Sequence, residues 1–425
     1  MLNKVKDVLR PVVHKFREIR IKNDSSRAAR HYEKLIDDFR SSGKKKINYA
    51  SYVIYDSTYG MDGVFRKMME DREHWDPKIV VIPDLSRGID HAKKTYNRSK
   101  EFFVRFYGPD FVIDGWDPEN NTFYDHLNEF DIVYYANPYD RFVHKYHKIA
   151  YASRRNVLPV YVSYGYDVGK LTTLDRLKGP ELNLVWKLFA DTTYTYQDYV
   201  DYQVVKGKNV VLAGYSKMDG LAKFHPSKNK RKKILITSHH TVSLNILPLS
   251  NFMEYYDLLT KLPDLFPELD FVFRPHPLLF TTLINNKVWT SEEVEKYISV
   301  LKEKGVEYST GGDYLGIFAE CDAIVNDCGS FTVEWLYTGK PGCFVYNKAL
   351  KEEQLTTLMK KAINSYTIAR SEEDIIKFIK EIADNEIKED NRIQDWVKEN
   401  IAINYPDVSS FILQEINILK RGELL

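Results

Sequence analysis

Two loops in the second half of this 425-residue sequence carry residues able to grip phosphate. Arg274-Pro275-His276-Pro277 directly follows the apolar run Phe271-Val272-Phe273. Its two prolines fix φ and remove backbone donors, so the loop is stiff. Arg274 brings a fork of donors matched to phosphate oxygens, and His276 can donate to phosphate or exchange a proton. The stretch from Asn326 to Glu334 follows a second apolar run, Ala323-Ile324-Val325. After Ser330 its apolar spacing is helical, so Gly329 and Ser330 open a helix whose first turn has free N–H groups suited to a pyrophosphate. Gly329 lets the backbone approach closely, and the Ser330 and Thr332 hydroxyls add donors. Asp327 precedes them, and Glu334, one turn on, is placed to accept from ribose hydroxyls. Ordinary helix capping uses the same residue types. Two such loops, each at a strand end, favour a ligand.

Thr237-Ser238-His239-His240-Thr241 ends a third apolar run. No carboxylate at a telling spacing accompanies the histidines, so phosphate contact through His239, His240 and the Thr241 hydroxyl is the more economical role, and neither a metal nor a cofactor is expected. In the first half, Ser57 to Gly63 is a glycine-containing loop with no Walker lysine and no dinucleotide fingerprint; Gly60 and Met61 are assigned to an acceptor. Ser163-Tyr164-Gly165-Tyr166-Asp167 follows another strand, with Asp167 or Tyr164 as general base and Tyr166 lining an acceptor groove.

These loops need strands to hold them. Apolar runs at 52–55, 78–82, 111–113, 131–135 and 157–162 alternate with helical stretches, and a second set lies at 234–237, 271–273, 323–325 and 343–346. Pro159 weakens the start of the fifth run, since it cannot donate to a ladder. Such alternation predicts parallel sheets covered on both faces. The length calls for two domains: an α/β pair over 47–225 and 226–391, separated by the exposed stretch Lys228 to Lys233, with a helical segment over 392–425 that packs back across both. Ligands in such sheets bind beyond the carboxyl ends of the strands, which places the chemistry in a cleft between facing domains.

Residues 1–46 form a basic helical segment of their own. Residues 1–50 hold 8 Lys and 6 Arg against 4 Asp and 2 Glu, a net +8, so the rest of the chain stands at −7 within a total of +1. Leu2, Val5, Leu9, Val12, Phe16 and Ile19 recur at helical spacing among Lys and Arg, with Pro11 expected to kink or break the helix. Residues 1–22 thus suit an anionic membrane surface. No recognition motif points to nucleic acid. There is no signal-peptide pattern and no apolar run near the roughly eighteen residues of a membrane span. Cys321, Cys328 and Cys343 suit a reducing compartment, so the expected location is cytoplasmic, at the inner face of the cell membrane.

On these residues the chain resembles the CDP-glycerol glycerophosphotransferase family of teichoic-acid and capsular-polysaccharide enzymes. The resemblance runs from about Lys206 to Tyr346 and includes Gly214-Tyr215 with Asp219, the Arg274 to Pro277 loop, Asp327 to Glu334, and Gly339-Lys340-Pro341. It implies a GT-B arrangement of two facing Rossmann-like, doubly wound domains. It assigns His276 to catalysis or the donor phosphates, and Asp327, Ser330 and Glu334 to the donor site. Two departures stand out: Gly329 replaces the first serine of the family's pair, and Tyr164-Gly165 occupies the place of its His-Gly. The implied reaction moves glycerol phosphate, or a related polyol phosphate, from a CDP-linked donor to a hydroxyl of a polysaccharide or lipid-linked acceptor and releases CMP. A glycosyltransferase of the same fold using a nucleotide sugar is the main alternative, and a non-catalytic polysaccharide-binding or scaffold protein the second.

Overall fold

The computed structural model describes residues 2–225, 231–242, 247–311, 314–387 and 390–419, with side chains from Lys15 onward. Its apolar runs build two sheets. The first contains β1 (Ile47–Val53), β2 (Trp75–Val81) and β3 (Val112–Asp114). After a small antiparallel pair, β4 (Trp116–Asp117) and β5 (Thr122–Phe123), it continues with β6 (Ile132–Tyr135), β7 (Leu158–Val162), β8 (Lys187–Ala190) and β9 (Val210–Leu212). The strand order is β3-β2-β1-β6-β7-β8-β9, with every neighbouring pair parallel. The second sheet contains β10 (Lys233–Thr237), β11 (Asp270–Phe273), β12 (Glu307–Tyr308), β13 (Ala323–Asn326), β14 (Gly342–Val345) and β15 (Thr367–Ala369). Its order is β12-β11-β10-β13-β14-β15, again parallel throughout. In each sheet the order runs outward from the first strand, returns past it and continues the other way, which is the doubly wound arrangement.

The chain divides into two compact units, Met1–Gly165 with Leu174–Lys217 and Ile403–Leu425, and Tyr166–Thr173 with Met218–Ala402. Aromatic residues dominate the first core, with Tyr49, Trp75, Phe65, Phe103 and Tyr134 fully buried. Many of the 30 tyrosines are therefore core residues and not groove linings. The second core gathers Phe252, Phe271, Phe273, Tyr297, Phe378 and Ile379. The C-terminal helices fall in different units: Asn391–Asn400 in the second and Val408–Ile416 in the first.

Three expectations need correction. The first helix, α1 (Leu2–Ser41), runs through Pro11 without a break. A proline removes only one N–H from the helical ladder, and the turns on either side can carry the helix across the gap. Pro159 lies inside β7, paired with Val133; the ladder continues around the missing donor, with Leu158 N–H donating to the Asp131 carbonyl at 2.9 Å and the Pro159 carbonyl accepting from Trp186 N–H at 2.8 Å. The lysine-rich stretch is not a free linker where it is described. Lys233 opens β10, Arg231 donates to the carbonyls of Glu268 and Leu269, and Lys232 donates to that of Ala383. Lys228 to Lys230 lie outside the described residues, as do the side chains of α1 before Lys15.

α1 packs on the first unit through Ala28, Tyr32 and Phe39, and the Tyr32 hydroxyl donates to the Leu184 carbonyl at 2.5 Å. Between Lys15 and Arg20 the helix has no such cover. Residues 15–20 are all exposed, Phe16 at 69% and Ile19 at 47%.

Candidate anion-binding site

In the second unit the strand order reverses between β10 and β13, where Thr237 pairs with Asn326. The crevice beyond the carboxyl ends of those strands is where a doubly wound sheet takes its ligand. His239, His240 and Thr241 follow β10, Arg274 to Pro277 follow β11, and Asp327 to Ser330 follow β13. Parallel pairing at this switch point therefore brings together three loops far apart in sequence. Ladder hydrogen bonds continue into them: Arg274 N–H donates to the Ile236 carbonyl and His276 N–H to that of Ser238, both at 2.9 Å.

Three imidazoles meet here. Ring centroids are 4.4 Å apart for His239 and His240, 4.2 Å for His240 and His276, and 5.2 Å for His239 and His276. Among the described residues this is the one group of three whose side chains could share a metal ion, with candidate ligand atoms within 4.8 Å of one another. Sequence spacing alone joined His239 to His240 but not to His276, 36 positions on. Burial depresses the pKa of all three, with the neighbouring imidazoles adding to the effect on His239 and His276; that of His276 falls to about 4. The cluster is therefore neutral near pH 7, and it offers N–H donors rather than positive charge.

Asp327 works underneath. It is 3% exposed, and its two carboxylate oxygens accept from His239 N–H at 2.6 Å and Asn251 N–H at 2.5 Å. Burial raises its pKa to about 7, against the pull of those two donors. Asp327 thus holds the histidine loop in place and does not stand open to a ligand. Arg274 is engaged as well: its guanidinium donates to Ser309 Oγ at 2.7 Å and the Gly311 carbonyl, and lies over the Tyr314 ring. Thr332 gives its hydroxyl to Asn326 Oδ1 at 2.8 Å.

Beside the cluster, Ser330 donates to Glu334 Oε1 at 2.5 Å while accepting from Tyr166 N–H at 3.3 Å. Tyr314 donates to the other oxygen of Glu334. Glu334 is buried, and it positions Ser330 and Tyr314. Gly329 is required by packing, since a Cβ there would sit 2.8 Å from Val168 Cγ2. Asn251, Ser309 and Tyr314 escaped the sequence reading. Only the helical pattern beginning beside Asn251 hinted at any of them.

The segment Tyr166–Thr173 belongs to this same unit. Tyr166, 5% exposed, hydrogen-bonds through its hydroxyl to that of Tyr337 at 2.8 Å. The carbonyl of Asp167 accepts from Thr356 Oγ1 at 2.7 Å. Tyr164 falls in the first unit, where its carbonyl accepts from Tyr215 OH at 2.9 Å. Gly214, just before Tyr215, has φ +93° and lies so close to the Ile403 carbonyl that a side chain would collide with it. Gly60 gives its carbonyl to Ser216 Oγ at 2.6 Å, and Met61 is fully buried in the first core. In Gly339-Lys340-Pro341, Lys340 donates to the carbonyls of Phe318, Ala319 and Cys321, capping the helix Leu315–Glu320.

Fold and site together define a two-unit α/β protein of the GT-B class with an imidazole-lined crevice in its second unit. No family model and no curated protein matches the sequence. Solved structures do. A variant of the wall teichoic acid polymerase TagF matches with TM-score 0.58 at 12% identity, over 98% of this chain and 97% of that one. A second TagF structure, from a CDPG soak, gives 0.56 at 13%, over 96% and 98%. UDP-GlcNAc 2-epimerase from Methanocaldococcus jannaschii gives 0.53 at 13%, over 86% and 98%. At these identities the likeness establishes the fold.

Proposed function

We propose that this protein transfers glycerol phosphate, or a related polyol phosphate, from a CDP-linked donor to a hydroxyl of a cell-surface polysaccharide or lipid-linked acceptor. The observation that carries the reading is the neutral three-histidine cluster at the switch point of the second sheet. An acceptor oxygen attacks the β-phosphorus, the bond from that phosphorus to the bridging oxygen breaks, and CMP departs with the bond's electron pair. The acceptor proton passes to a base, for which Asp167 and Tyr164 are the residues to test. Catalysis of this kind is mostly positioning and charge neutralisation. His239, His240 and His276 donate to the phosphate oxygens, while Asp327, Arg274 and Glu334 hold the loops around them. His276, with its pKa near 4, stabilises the leaving phosphate by a hydrogen bond rather than by giving up a proton. The leaving phosphate, with a second pKa of about 6, does not require one.

The fold shared with TagF, which was soaked with CDPG in one of the matching structures, supports this reading. The fold shared with UDP-GlcNAc 2-epimerases favours, as a second reading, a nucleotide-sugar substrate at the same crevice. Product analysis separates the two: polyol-phosphate transfer releases CMP, whereas sugar transfer releases a nucleoside diphosphate. Release of the diphosphate would sink the first reading. A thermal-shift panel of CDP-glycerol, CDP-ribitol and nucleotide sugars identifies the donor, and no shift with any nucleotide would instead support a scaffold role.

The acceptor chemistry fits a protein held at a membrane. Among the described residues no helix is long and apolar enough to cross one. Exposed Phe16 and Ile19, flanked by Lys15, Arg17, Arg20 and Lys22, support docking of α1 on an anionic lipid surface.

A further inference from the structure

We propose that Thr241 and the backbone N–H of Leu278 lock the tautomers of His239 and His276, so that each neutral ring carries its proton on Nε2 and the cluster is built to donate to an oxyanion instead of ligating a divalent metal. This rests on the phosphate-site reading above and concerns how the site achieves it. Thr241 and Leu278 are positioning residues.

The hydrogen bonds around Thr241 determine the first tautomer. Its Oγ1 accepts from Leu249 N–H at 3.1 Å and Ser250 N–H at 3.4 Å, which occupies both lone pairs of a hydroxyl oxygen. His239 Nδ1 lies 2.9 Å from the same oxygen. An N–H at Nδ1 would find no lone pair to meet, so the hydroxyl hydrogen points at the ring and Nδ1 accepts. His276 is simpler. Leu278 N–H donates to His276 Nδ1 at 3.1 Å, and a backbone N–H can only donate. In both rings Nδ1 keeps its lone pair, so the neutral ring has its proton on Nε2.

The consequence is selectivity. A metal-bound histidine ordinarily offers a lone pair to the ion while its other nitrogen donates to a carboxylate or carbonyl. His239 and His276 show the opposite arrangement, since their second nitrogens are already accepting. Ligation through Nε2 would need either loss of the hydrogen bond at Nδ1 or a doubly deprotonated ring. Three clustered imidazoles therefore look like a metal site by distance and behave as an anion site by hydrogen bonding. His240, whose Nδ1 is buried without a hydrogen-bond partner among the described residues, is free to follow its two neighbours.

The test uses the full chain isotope-labelled at histidine nitrogens, in which long-range nitrogen–proton correlations separate the two tautomers. The probes are inorganic pyrophosphate and zinc. Wild type should show His239 and His276 with the proton on Nε2. Thr241→Val should turn His239 into a tautomer mixture, weaken pyrophosphate about tenfold and tighten zinc, and Thr241→Ser should restore all three. Leu278→Pro removes the other donor and should affect His276 alone, which keeps the question decidable if Thr241→Val does not fold. A wild-type His239 protonated on Nδ1, or tautomers unmoved by both substitutions, overturns the proposal. No nucleotide enters these measurements, so a failed CMP-release assay alongside locked tautomers would overturn the reaction and not the lock.

Discussion

The carboxylate of Asp327, just beyond β13, accepts the backbone N–H of His239, just beyond β10, at 2.6 Å. That bond spans the point where the strand order of the second sheet reverses, and Asn251 N–H completes it on the other oxygen at 2.5 Å. One buried side chain thereby fixes the loop that carries two of the three clustered imidazoles. Asp327→Asn keeps the shape but turns an NH2 toward one of the two backbone donors. Losing that bond and leaving a buried N–H unmet costs about 1–3 kcal/mol. We expect a lower unfolding temperature and a weaker response to donor nucleotide, both read by thermal shift. A variant that melts and binds like wild type would remove Asp327 from this role.

His276 gives a pH signature. An ordinary histidine titrates near 6.5, whereas burial, seconded by His240, holds this one at about 4. As pH falls through 6.5 the unfolded chain takes up a proton that the folded chain refuses until near 4. The stability tied to His276 is thus full above 6.5 and is lost on the way down, by roughly 2 kcal/mol at pH 5. Asp327, raised to about 7, acts in the opposite sense over the same span because the folded chain keeps its proton longer. Comparing wild type with His276→Gln by urea unfolding at about pH 7.5 and about pH 5 isolates the histidine. Wild type should lose more stability on acidification than the variant. Parallel behaviour of the two would contradict the buried, neutral state of the ring.

Much of this was legible in the sequence because the strands that carry the site are fully apolar. β10, β11, β13 and β14 are buried on both faces, and each was marked by its run of Ile, Leu, Val or Phe. Most of the strands that were not foreseen lack that mark; β8, an interior strand with Leu188, Phe189 and Ala190 buried, is the exception. β12 has only two residues, and β9 and β15 are half-exposed edges where periodicity is weak. At the site, the loops could be read from residue type and strand-end position, but the division of labour within them could not. Arg274, Asp327 and Glu334 have the chemistry of ligand contacts, yet the fold uses them to hold Ser309, His239 and Ser330. Which partner a side chain finds depends on tertiary contacts such as Tyr314 to Glu334, and no spacing rule encodes those.

Gly329, where the resembling family has serine, has a packing explanation that a double substitution can test. A Cβ at this position would approach Val168 Cγ2 to 2.8 Å, inside van der Waals contact. Val168 is poorly able to yield, because its carbonyl accepts Thr356 N–H at 3.0 Å and its neighbour Gly169 bridges to Leu355. Gly329→Ala should therefore cost about 1–3 kcal/mol by overpacking. Combining it with Val168→Ala should recover most of that loss, a coupling expected of residues in contact. Additive effects of the two changes would mean that the clash is relieved elsewhere.

The exposed stretch of α1 from Lys15 to Arg20 makes the last prediction. Phe16 and Ile19 are three residues apart and so share a helix face, with Lys15, Arg17, Arg20 and Lys22 close by. Burying each apolar side chain in a lipid interface contributes about 1.5–3 kcal/mol, and each basic residue near an anionic surface about 1 kcal/mol. Phe16→Ser with Ile19→Ser should weaken binding to phosphatidylglycerol-containing vesicles by about a hundredfold or more, with the change in partitioning following the lost apolar area. Raising salt should weaken the wild-type protein further through its basic residues, since screening shortens their reach. The fold should be indifferent to both substitutions, because residues 15–20 are exposed and α1 joins the first core through Ala28, Tyr32 and Phe39. Equal vesicle binding by the double variant, folded and at the same salt, would show that this end of α1 is simply a solvated helix.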